Sequence, residues 1–503
     1  MTLINLRNLG VTLGAPLFSN LNFAIVKGDR TGLVAANGRG KSTLLRVLAG
    51  DADASHGDIT RARGLRVGLV TQDVPEALQA LPLHQAVLTA LSDEQARSEA
   101  WRVDIALNDL AVPDELWEKP LRALSGGWQR VALLARAWVA EPDLLLMDEP
   151  TNHLDLGRIG ILQGWLDTVA RNTPFLVASH DRAFLDATTN RTLFLRSERS
   201  QLFARSYSEA RAALDEADAA EGRQFANELA KVSQLRRQAA KLKNIGINSG
   251  SDLLLTKTKR LNERAEKIEE AARPAFQERS AGAIRLTNSG IHSKALVSLD
   301  NADIQTPDGR TLFRTGALWI NRGDRVVVLG ANGTGKTRLL SQVIRALAEP
   351  DPRIRVAPSV VPGISDQALQ HLDRFRSPMD AVAGRRDVND RAARALLADA
   401  GMSVAIQDGK IAALSGGQRA RLSMLLLRLE HPNFYILDEP TNHLDIEGQE
   451  ALEHELLAHD ATALLVSHDR AFVRQVGTRF WQIVRNRLVE VDDPEAFFAL
   501  QLG

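Results

Sequence analysis

The octapeptide DEPTNHLD occupies residues 148–155 and recurs, letter for letter, at residues 438–445. A second shared string, SHDRAF, follows each copy of the first. The order of the two strings is kept and their separation is nearly constant, at 290 residues for the octapeptide and 288 for the hexapeptide. A long repeat of this kind indicates two copies of one structural unit. We place the first copy at residues 1–200, a different kind of segment at residues 201–290 and the second copy at residues 291–503.

The composition is that of a folded protein that is soluble in water. Hydrophobic residues make up 44% of the 503 residues and charged residues 25%. Lys and Arg number 62, and so do Asp and Glu, so no overall basic excess draws the chain to nucleic acid. The absence of cysteine excludes disulfides, thiolate zinc sites and iron–sulfur clusters. No apolar stretch approaches the roughly 20 residues that cross a bilayer, and the first residues do not form a secretory signal, so we expect a cytoplasmic protein with no membrane segment.

A glycine-rich loop stands between an apolar strand and a helical run in each copy. The second copy reads GANGTGKT at residues 330–337, and the first reads AANGRGKST at residues 35–43. Backbone N–H groups of such a loop cradle phosphates, and its lysine reaches the β- and γ-phosphates. Ala35 replaces the first motif glycine, so we expect a somewhat altered loop that still binds nucleotide. The predicted nucleotide-binding residues are Asn37, Gly38, Gly40, Lys41, Ser42 and Thr43 in the first copy, and Gly330, Asn332, Gly333, Gly335, Lys336 and Thr337 in the second.

Two acidic residues end the next apolar strand in each copy. In LLLMDE and FYILDE, Asp148 and Asp438 are placed to hold Mg²⁺, together with the hydroxyls of Ser42 and Thr337. The following acids, Glu149 and Glu439, are placed to polarise an attacking water as general base. Two histidines follow a third apolar strand, where a side chain can touch a γ-phosphate, and two glutamines follow the strands downstream of the glycine loops. These residues are His180, His468, Gln72 and Gln367.

The strings LSGG at residues 124–127 and LSGGQ at residues 414–418 precede the acid strands. With them, the chain resembles the ATP-binding cassette ATPases, and specifically the soluble twin-cassette ABC-F group of translation factors and antibiotic-resistance ribosome-protection proteins. The resemblance implies an α/β fold of two P-loop cassettes joined by an α-helical hairpin linker. Each cassette has a RecA-like core, a helical subdomain and an antiparallel β-subdomain. It also implies ATP and Mg²⁺ as cofactors, with Gln72 and Gln367 acting in catalysis and metal binding.

The same resemblance implies two composite sites, because such cassettes face each other head to tail. Nucleotide held by Lys41 and Ser42 would be closed over by Ser415, Gly416, Gly417 and Gln418. Nucleotide held by Lys336 and Thr337 would be closed over by Ser125, Gly126 and Gly127. Both glutamates are present, so we predict two sites that hydrolyse ATP. Two departures stand out: Trp128 takes the place of Gln418, and Leu13 stands where many cassettes stack adenine on an aromatic ring.

The segment between the copies predicts a basic helical hairpin. Apolar residues at steps of three and four indicate one helix through Phe225 and Leu242 and another through Leu254 and Ala272, with a turn at residues 244–252. From Lys231 to Lys267, ten basic residues stand against three acidic ones, a net charge of +7 that suits RNA phosphates. The resemblance implies that this hairpin enters the ribosome and approaches the peptidyl-transferase centre and P-site tRNA. The alternative is a solvated coiled coil that only spaces the cassettes.

We therefore predict a monomeric ribosome-associated ATPase. ATP binding would close the cassettes within one chain, and hydrolysis would release them; a general translation factor and a resistance protein are not separated by the sequence. The alternative is the ATP-hydrolysing subunit of an ABC transporter. The lack of apolar spans, the basic hairpin and the two intact DEPTNHLD strings argue against it. DNA-repair and chromosome-structuring ATPases would require longer coils or zinc cysteines.

Overall fold

The computed structural model describes residues 1–249, 252–272, 282–290, 294–366, 369–385 and 388–502. Gln367, which the sequence assigns to the second site, lies outside these residues. The predicted α/β architecture is confirmed: each copy, called a cassette below, is built around a mostly parallel sheet. Among the described residues, no helix is both long and apolar enough to cross a bilayer.

The first cassette combines a small antiparallel sheet with a six-stranded core sheet in the order β5-β6-β7-β3-β8-β9, in which only β9 runs antiparallel. Every residue of β6 and β7 is buried, as expected for parallel strands covered on both faces. The strands are β1 (Thr2–Leu13), β2 (Ala15–Val26), β3 (Arg30–Val34), β4 (His56–Arg61), β5 (Val67–Val70), β6 (Leu144–Asp148), β7 (Phe175–Ala178), β8 (Arg191–Phe194) and β9 (Gln201–Phe203). The antiparallel sheet has the order β2-β1-β4.

The helices of the first cassette include a helical subdomain between β5 and β6. They are α1 (Lys41–Ala49), α2 (Glu76–Gln79), α3 (Leu83–Leu88), α4 (Asp93–Ser98), α5 (Trp101–Asp109), α6 (Gly126–Val139), α7 (Leu156–Thr168) and α8 (Arg182–Thr188), with short 3-10 turns at Asp114–Leu116 and Leu121–Ala123. The helix α1 begins at the lysine of the glycine loop, and α6 begins one residue after Ser125. The N-terminus of α1 therefore lies at the glycine loop, where helix N–H groups favour an anion.

Two helices form the linker hairpin, α9 (Tyr207–Ser249) and α10 (Asp252–Ala272). The predicted turn at residues 244–252 is wrong for residues 244–249, which continue α9, and for Asp252, which begins α10; residues 250 and 251 lie outside the described residues. Pairing between α9 and α10 overrides the turn-forming residues. Val232, Ala239, Thr258 and Ala265 are buried in the seam between the two helices. The Thr258 hydroxyl donates to the carbonyl oxygen of Leu254, which satisfies the polar group inside this seam.

The second cassette repeats the first, with an eight-stranded sheet in the order β11-β12-β20-β19-β14-β18-β17-β16 and a small sheet in the order β13-β10-β15. The strands are β10 (Ala295–Asp300), β11 (Asp303–Gln305), β12 (Thr311–Arg314), β13 (Ala317–Asn321), β14 (Arg325–Leu329), β15 (Ile354–Val356), β16 (Pro362–Ser365), β17 (Phe434–Asp438), β18 (Ala463–Val466), β19 (Arg479–Val484) and β20 (Arg487–Val491). The helices are α11 (Lys336–Ala348), α12 (Pro378–Ala383), α13 (Asp390–Asp399), α14 (Val404–Gln407), α15 (Gly416–Leu429), α16 (Ile446–Ala458), α17 (Arg470–Val476) and α18 (Glu495–Leu502), with 3-10 turns at Gln370–Leu372 and Ile411–Ala413.

The ends of the predicted insert pack with the cassettes instead of with the hairpin. Strand β9 pairs with β8 in the first core sheet. Ile284 and Leu286 are buried in the core of the second cassette, and the backbone N–H of Leu286 donates to Glu455 at 2.6 Å. We therefore propose that the linker proper comprises α9 and α10.

The cassettes also exchange core residues. Ile446, the first residue of α16, is buried in the core of the first cassette. Leu156, the first residue of α7, is buried in the core of the second cassette. These two positions are equivalent in the repeat, so the contact follows a pseudo-two-fold axis that places the two halves face to face.

Candidate functional site

The two glycine loops have matching backbones. Gly38 and Gly40 adopt φ of 78° and 90°, and Gly333 and Gly335 adopt 77° and 104°, a region that glycine enters without strain. The expectation that Ala35 alters the first loop is not met at these positions. The Nζ of Lys41 donates to the carbonyl oxygen of Ala35 at 3.0 Å, just as Lys336 donates to Gly330 at 2.8 Å.

The strand-end glutamates are held in an uncommon backbone conformation. Glu149 and Glu439 have φ of 49° and 51°, which is rare for residues other than glycine and costs roughly 1–3 kcal/mol. In each cassette the carboxylate accepts a hydrogen bond from the backbone N–H of the following histidine, His180 or His468, at 3.2 and 3.1 Å. The strained backbone therefore turns each glutamate towards the histidine loop.

The two histidines lie beside the glutamates and lysines. The Nε2 of His180 is 3.2 Å from Glu149 Oε1 and 2.9 Å from Lys41 Nζ, and the Nε2 of His468 is 3.4 Å from Glu439 Oε1. Burial lowers the pKa of His180 to about 4 and also lowers the pKa of His468. Both rings are therefore neutral near pH 7 and can accept or donate a hydrogen bond.

The two aspartates offer unused oxygen atoms. Oδ1 of Asp148 and Oδ1 of Asp438 are buried and accept no hydrogen bond from the described residues. Burial raises the pKa of both carboxyl groups, while the neighbouring hydroxyls of Ser42 and Thr337 act in the opposite direction. A carboxylate oxygen beside a hydroxyl is the donor type that Mg²⁺ prefers, so the residues present fit a cation bound with phosphates.

One cavity of about 1160 Å³ contains most of the predicted residues of both cassettes. Lys41, Glu149 and His180 of the first cassette line it together with Lys336, Glu439 and His468 of the second. Gln72 also lines the cavity, two residues after the end of β5. Its neighbour Thr71 accepts a 2.7 Å hydrogen bond through its carbonyl oxygen from Arg130 of α6.

The cassettes meet head to tail at the first glycine loop. The residues Ser415, Gly416, Gly417 and Gln418 face this loop across the cavity. The backbone N–H of Asn37 donates to Asp445 at 2.9 Å, and the Asn37 side chain donates to the carbonyl oxygen of His443 at 3.1 Å. Ser125, Gly126 and Gly127 do not line the cavity, and Asn332 makes no corresponding hydrogen bond within the described part of the chain. The first nucleotide site is therefore the more closed of the two.

The sequence interpretation did not name Asp445 and Arg421, two residues that the structure places beside the first glycine loop. Arg421 forms a buried 2.8 Å ion pair with Asp445, which also caps α16. Burial alone would raise the pKa of Asp445, yet the Arg421 guanidinium and the Asn37 N–H outweigh it and hold the pKa below its usual value. The signal in the sequence was the last letter of DEPTNHLD, whose role depends on the opposite cassette.

The equivalent aspartate of the first cassette is held differently. Val131 occupies the position of Arg421, so Asp155 lacks the equivalent arginine. Its nearest cation is Arg158 at 3.5 Å, whose guanidinium lies 4.3 Å from the centre of the Trp128 ring. The substitution of tryptophan for glutamine after LSGG therefore packs against the helix that follows Asp155.

Among the described residues that line the cavity there is no Phe, Tyr or Trp. Leu13 and Leu17 line it near the first glycine loop, and Thr306, Arg310 and Leu312 line it near the second.

Comparison with known proteins decides the family. The family model described as "ABC transporter" matches residues 18–152 and 314–442. ATP-binding protein Uup of Escherichia coli is 31% identical in an alignment of 524 positions. The alignment covers 96% of this chain and 80% of Uup. ABC transporter F family member 5 of Arabidopsis thaliana is 28% identical over 95% of this chain and 73% of its own length. The chain belongs to the ABC-F family.

This ABC-F protein is thus an ATPase with two ATP-binding cassettes, as predicted. Its fold is shared with the archaeal ribosome recycling factor aABCE1, whose structure in complex with the ribosomal stalk protein aP1 superposes with a TM-score of 0.65. That match covers 98% of this chain and 92% of aABCE1 at 18% identity. RNase-L Inhibitor gives the same TM-score and identity over 98% of this chain and 93% of its own.

Proposed function

We propose that this protein binds ribosomes in the cytoplasm as a monomer and uses ATP to control that binding. ATP would hold the cassettes together and place the linker hairpin near the peptidyl-transferase centre and P-site tRNA; hydrolysis would release it. The observation that carries the proposal is a basic hairpin attached to a pair of cassettes that meet across their nucleotide sites. Relatives in the ABC-F family and the ribosomal partners of aABCE1 support it.

The hairpin is long enough and charged enough for this role. At 1.5 Å per residue, the 43 residues of α9 extend for about 65 Å. Lys259 is 81% exposed, and Arg237 and Lys257 have no carboxylate within ion-pair distance among the described residues. Arg236 contributes less free charge, because it pairs with Glu269 at 2.6 Å. At the tip, Ile245, Ile247 and Leu253 are exposed, and these side chains would face the ribosomal target of a translation factor or a resistance protein.

The chemistry proposed for the site uses this chain's own residues. Glu149 and Glu439 would take the proton of the attacking water, and His180 and His468 would hydrogen-bond the γ-phosphate as neutral rings. Lys41 and Lys336 would leave their loop carbonyls to contact the phosphates. The oxygens of Ser42, Thr337, Asp148 and Asp438, with Gln72 and Gln367, would hold Mg²⁺, which neutralises phosphate charge when bound. Because both glutamates are present, we propose that both sites hydrolyse ATP.

The test is co-sedimentation with purified ribosomes. The Glu149→Gln/Glu439→Gln variant should lose about 10²–10⁴-fold in phosphate release and still bind ATP. We expect it to pellet with ribosomes in ATP and to remain in the supernatant in ADP. Glu141→Gln, which changes an exposed acid outside the cavity, is the control and should hydrolyse ATP normally.

A protein that binds ATP but pellets in neither nucleotide would contradict the ribosome proposal. The transporter alternative would then be tested by membrane fractionation, in which an ATP-hydrolysing subunit would sediment with its membrane partner.

A further inference from the structure

The start of the linker helix α9 packs in the core of the first cassette and also contacts α16 of the second cassette. Tyr207, its first residue, is buried, and its hydroxyl lies 3.4 Å from Glu450 Oε1 of α16. Arg211, one turn later, donates to Glu450 Oε2 at 3.2 Å. Burial raises the pKa of the Tyr207 hydroxyl, which keeps it protonated and able to donate. The Glu450 carboxylate of the second cassette thus accepts hydrogen bonds from two residues of the linker. Glu450, Tyr207 and Arg211 are together called the linker contact below.

The helix that presents Glu450 also closes the first nucleotide site. Asp445 caps α16 and accepts the N–H of Asn37 from the glycine loop of the first cassette. Glu450 follows five residues later, about 7–8 Å along the helix axis. A movement of Asp445 relative to the glycine loop therefore moves Glu450 as part of the same rigid element.

The repeat shows that the linker contact is specific to one side. The residue equivalent to Glu450 in α7 is Gly160. Helix α18, the counterpart of the start of α9, packs there so closely that a Cβ on Gly160 would lie 2.5 Å from the Leu502 carbonyl oxygen. At Gly160, the contact is thus close packing of backbone against backbone. At Glu450, it is a charged side chain that reaches the linker.

A second set of ion pairs also ties the cassettes together. Arg182 donates to both oxygens of Glu453, one turn beyond Glu450, and lies 3.6 Å from Asp469. Arg470 lies 3.5 Å from Asp181, so the residues that follow the two histidines pair reciprocally across the interface. Loss of the linker contact would leave these pairs in place.

We propose that Glu450 is a positioning residue that couples nucleotide-dependent closure of the cassettes to the orientation of the linker hairpin, through Arg211 and Tyr207. This inference rests on the proposed function for its purpose, but it concerns the isolated protein. When the first site opens, Glu450 withdraws with α16 and the start of α9 loses its cross-cassette donor-acceptor contact. The hairpin is then held only by its own cassette.

The test measures distances between spin labels without ribosomes. The chain has no cysteine, so pairs of Ser→Cys substitutions at exposed positions can be labelled cleanly. Ser233 on α9 with Ser403 in the second cassette reports hairpin orientation, and Ser98 with Ser403 reports cassette closure. Both pairs are introduced into the Glu149→Gln/Glu439→Gln background and measured in ATP and in ADP.

We expect ATP to shift both distances in the parent. Glu450→Gln should keep the shift between Ser98 and Ser403 and lose the shift between Ser233 and Ser403. Arg211→Gln should do the same. The double variant should lose no more of the shift than either single variant, because each of them breaks the same ion pair between Glu450 and Arg211. The exchanged pair Glu450→Arg/Arg211→Glu should restore the shift.

The matched control is Asp218→Asn, which weakens a pair between α9 and Arg196 of its own cassette. It should alter the hairpin distance equally in ATP and in ADP. The proposal is overturned if Glu450→Gln leaves the ATP-dependent hairpin shift intact, if the effects at positions 450 and 211 add, or if Glu450→Gln also abolishes closure. Since no ribosome is present, failure of ribosome binding would leave this result unaffected.

Discussion

At the scale of single residues, the site depends on groups kept in states that they would not adopt in water. Glu149 and Glu439 take left-handed backbone conformations, and the hydrogen bond from each following histidine N–H fixes the carboxylate. The fold itself therefore fixes the carboxylates that we propose as general bases, and the strain is borne by the adjoining strands, whose residues are all buried.

The buried His180 makes stability depend on pH. Its pKa is lowered from about 6.5 to about 4, so between these values the unfolded chain binds more protons than the folded one. The free energy of unfolding should therefore fall as the pH drops from 6.5 towards 4. His180→Asn should reduce this dependence by up to about 1.4 kcal/mol per pH unit. Urea unfolding at several pH values measures the slope, and an identical slope in the variant would contradict the assignment.

Residue types with a fixed chemical role were predictable from the sequence. Lys41, Glu149 and His180 lie together as their motifs indicate. Arg130 and Arg421 were not predictable, because each acts on a group distant in sequence, the carbonyl oxygen of Thr71 and the carboxylate of Asp445. A lone arginine within an amphipathic helix does not reveal such a partner.

At the scale of elements, the two loops that end in Asp155 and Asp445 should differ in how much they contribute to closure of the cassettes. Asp445→Asn would leave the buried Arg421 without its charge partner, which typically costs about 3–5 kcal/mol. Asp155→Asn removes a partly exposed contact with Arg158, worth less than about 1 kcal/mol. We expect the ATP concentration for half-maximal closure to rise far more in the first variant. Nucleotide titration of the labelled Ser98 and Ser403 pair would show it, and equal effects would exclude this asymmetry.

The glycines of α7 give a second test at this scale. Gly160→Ala places a methyl group against the backbone of Leu502 and should destabilise the protein by about 1–3 kcal/mol. Gly164→Ala, in the same helix but facing open space, should stabilise it by roughly 0.5–1 kcal/mol. Thermal unfolding measures both changes. Faster hydrogen exchange in α18 should accompany the first variant alone.

Helix boundaries in the linker show where sequence interpretation ends. The sequence of residues 244–249 contains Gly and Asn, which favour turns in isolation, yet these residues complete α9. The apolar spacing did predict two amphipathic helices, and Val232, Ala239 and Ala265 are buried between them. The spacing of apolar residues indicates which face of a helix packs against its partner. The position of the turn between the two helices depends instead on how far the partner helix extends.

At the scale of the whole molecule, neutral net charge coexists with a basic hairpin, so binding to RNA should depend on salt through the hairpin alone. Replacing Arg237, Lys257 and Lys259 with Gln should weaken ribosome binding and lower the slope of log affinity against log salt by about 2–3. Basal ATP hydrolysis should not change. Replacing Arg7, Lys27 and Arg171 on the first cassette is the control; an equal loss of slope there would assign the salt dependence to the cassettes.

Two-fold repetition was predictable from DEPTNHLD, but the break in symmetry was not. Asn37 contacts Asp445 while Asn332 makes no corresponding contact within the described residues, and Glu450 corresponds to Gly160. Such differences appear in the sequence as ordinary divergence between repeats. Their effect on the contacts between the cassettes is visible only in the folded structure, where the two cassettes face each other.

The exchange of Ile446 and Leu156 between cores has a consequence for biosynthesis. Ile446 is translated about 240 residues after the first cassette ends, which at 5–20 residues per second takes roughly 12–50 s. During that interval, the apolar surface of the first cassette that Ile446 covers stays exposed, because the second cassette has not yet been synthesised. Proteins truncated before α16 should therefore expose this apolar surface and be prone to aggregation.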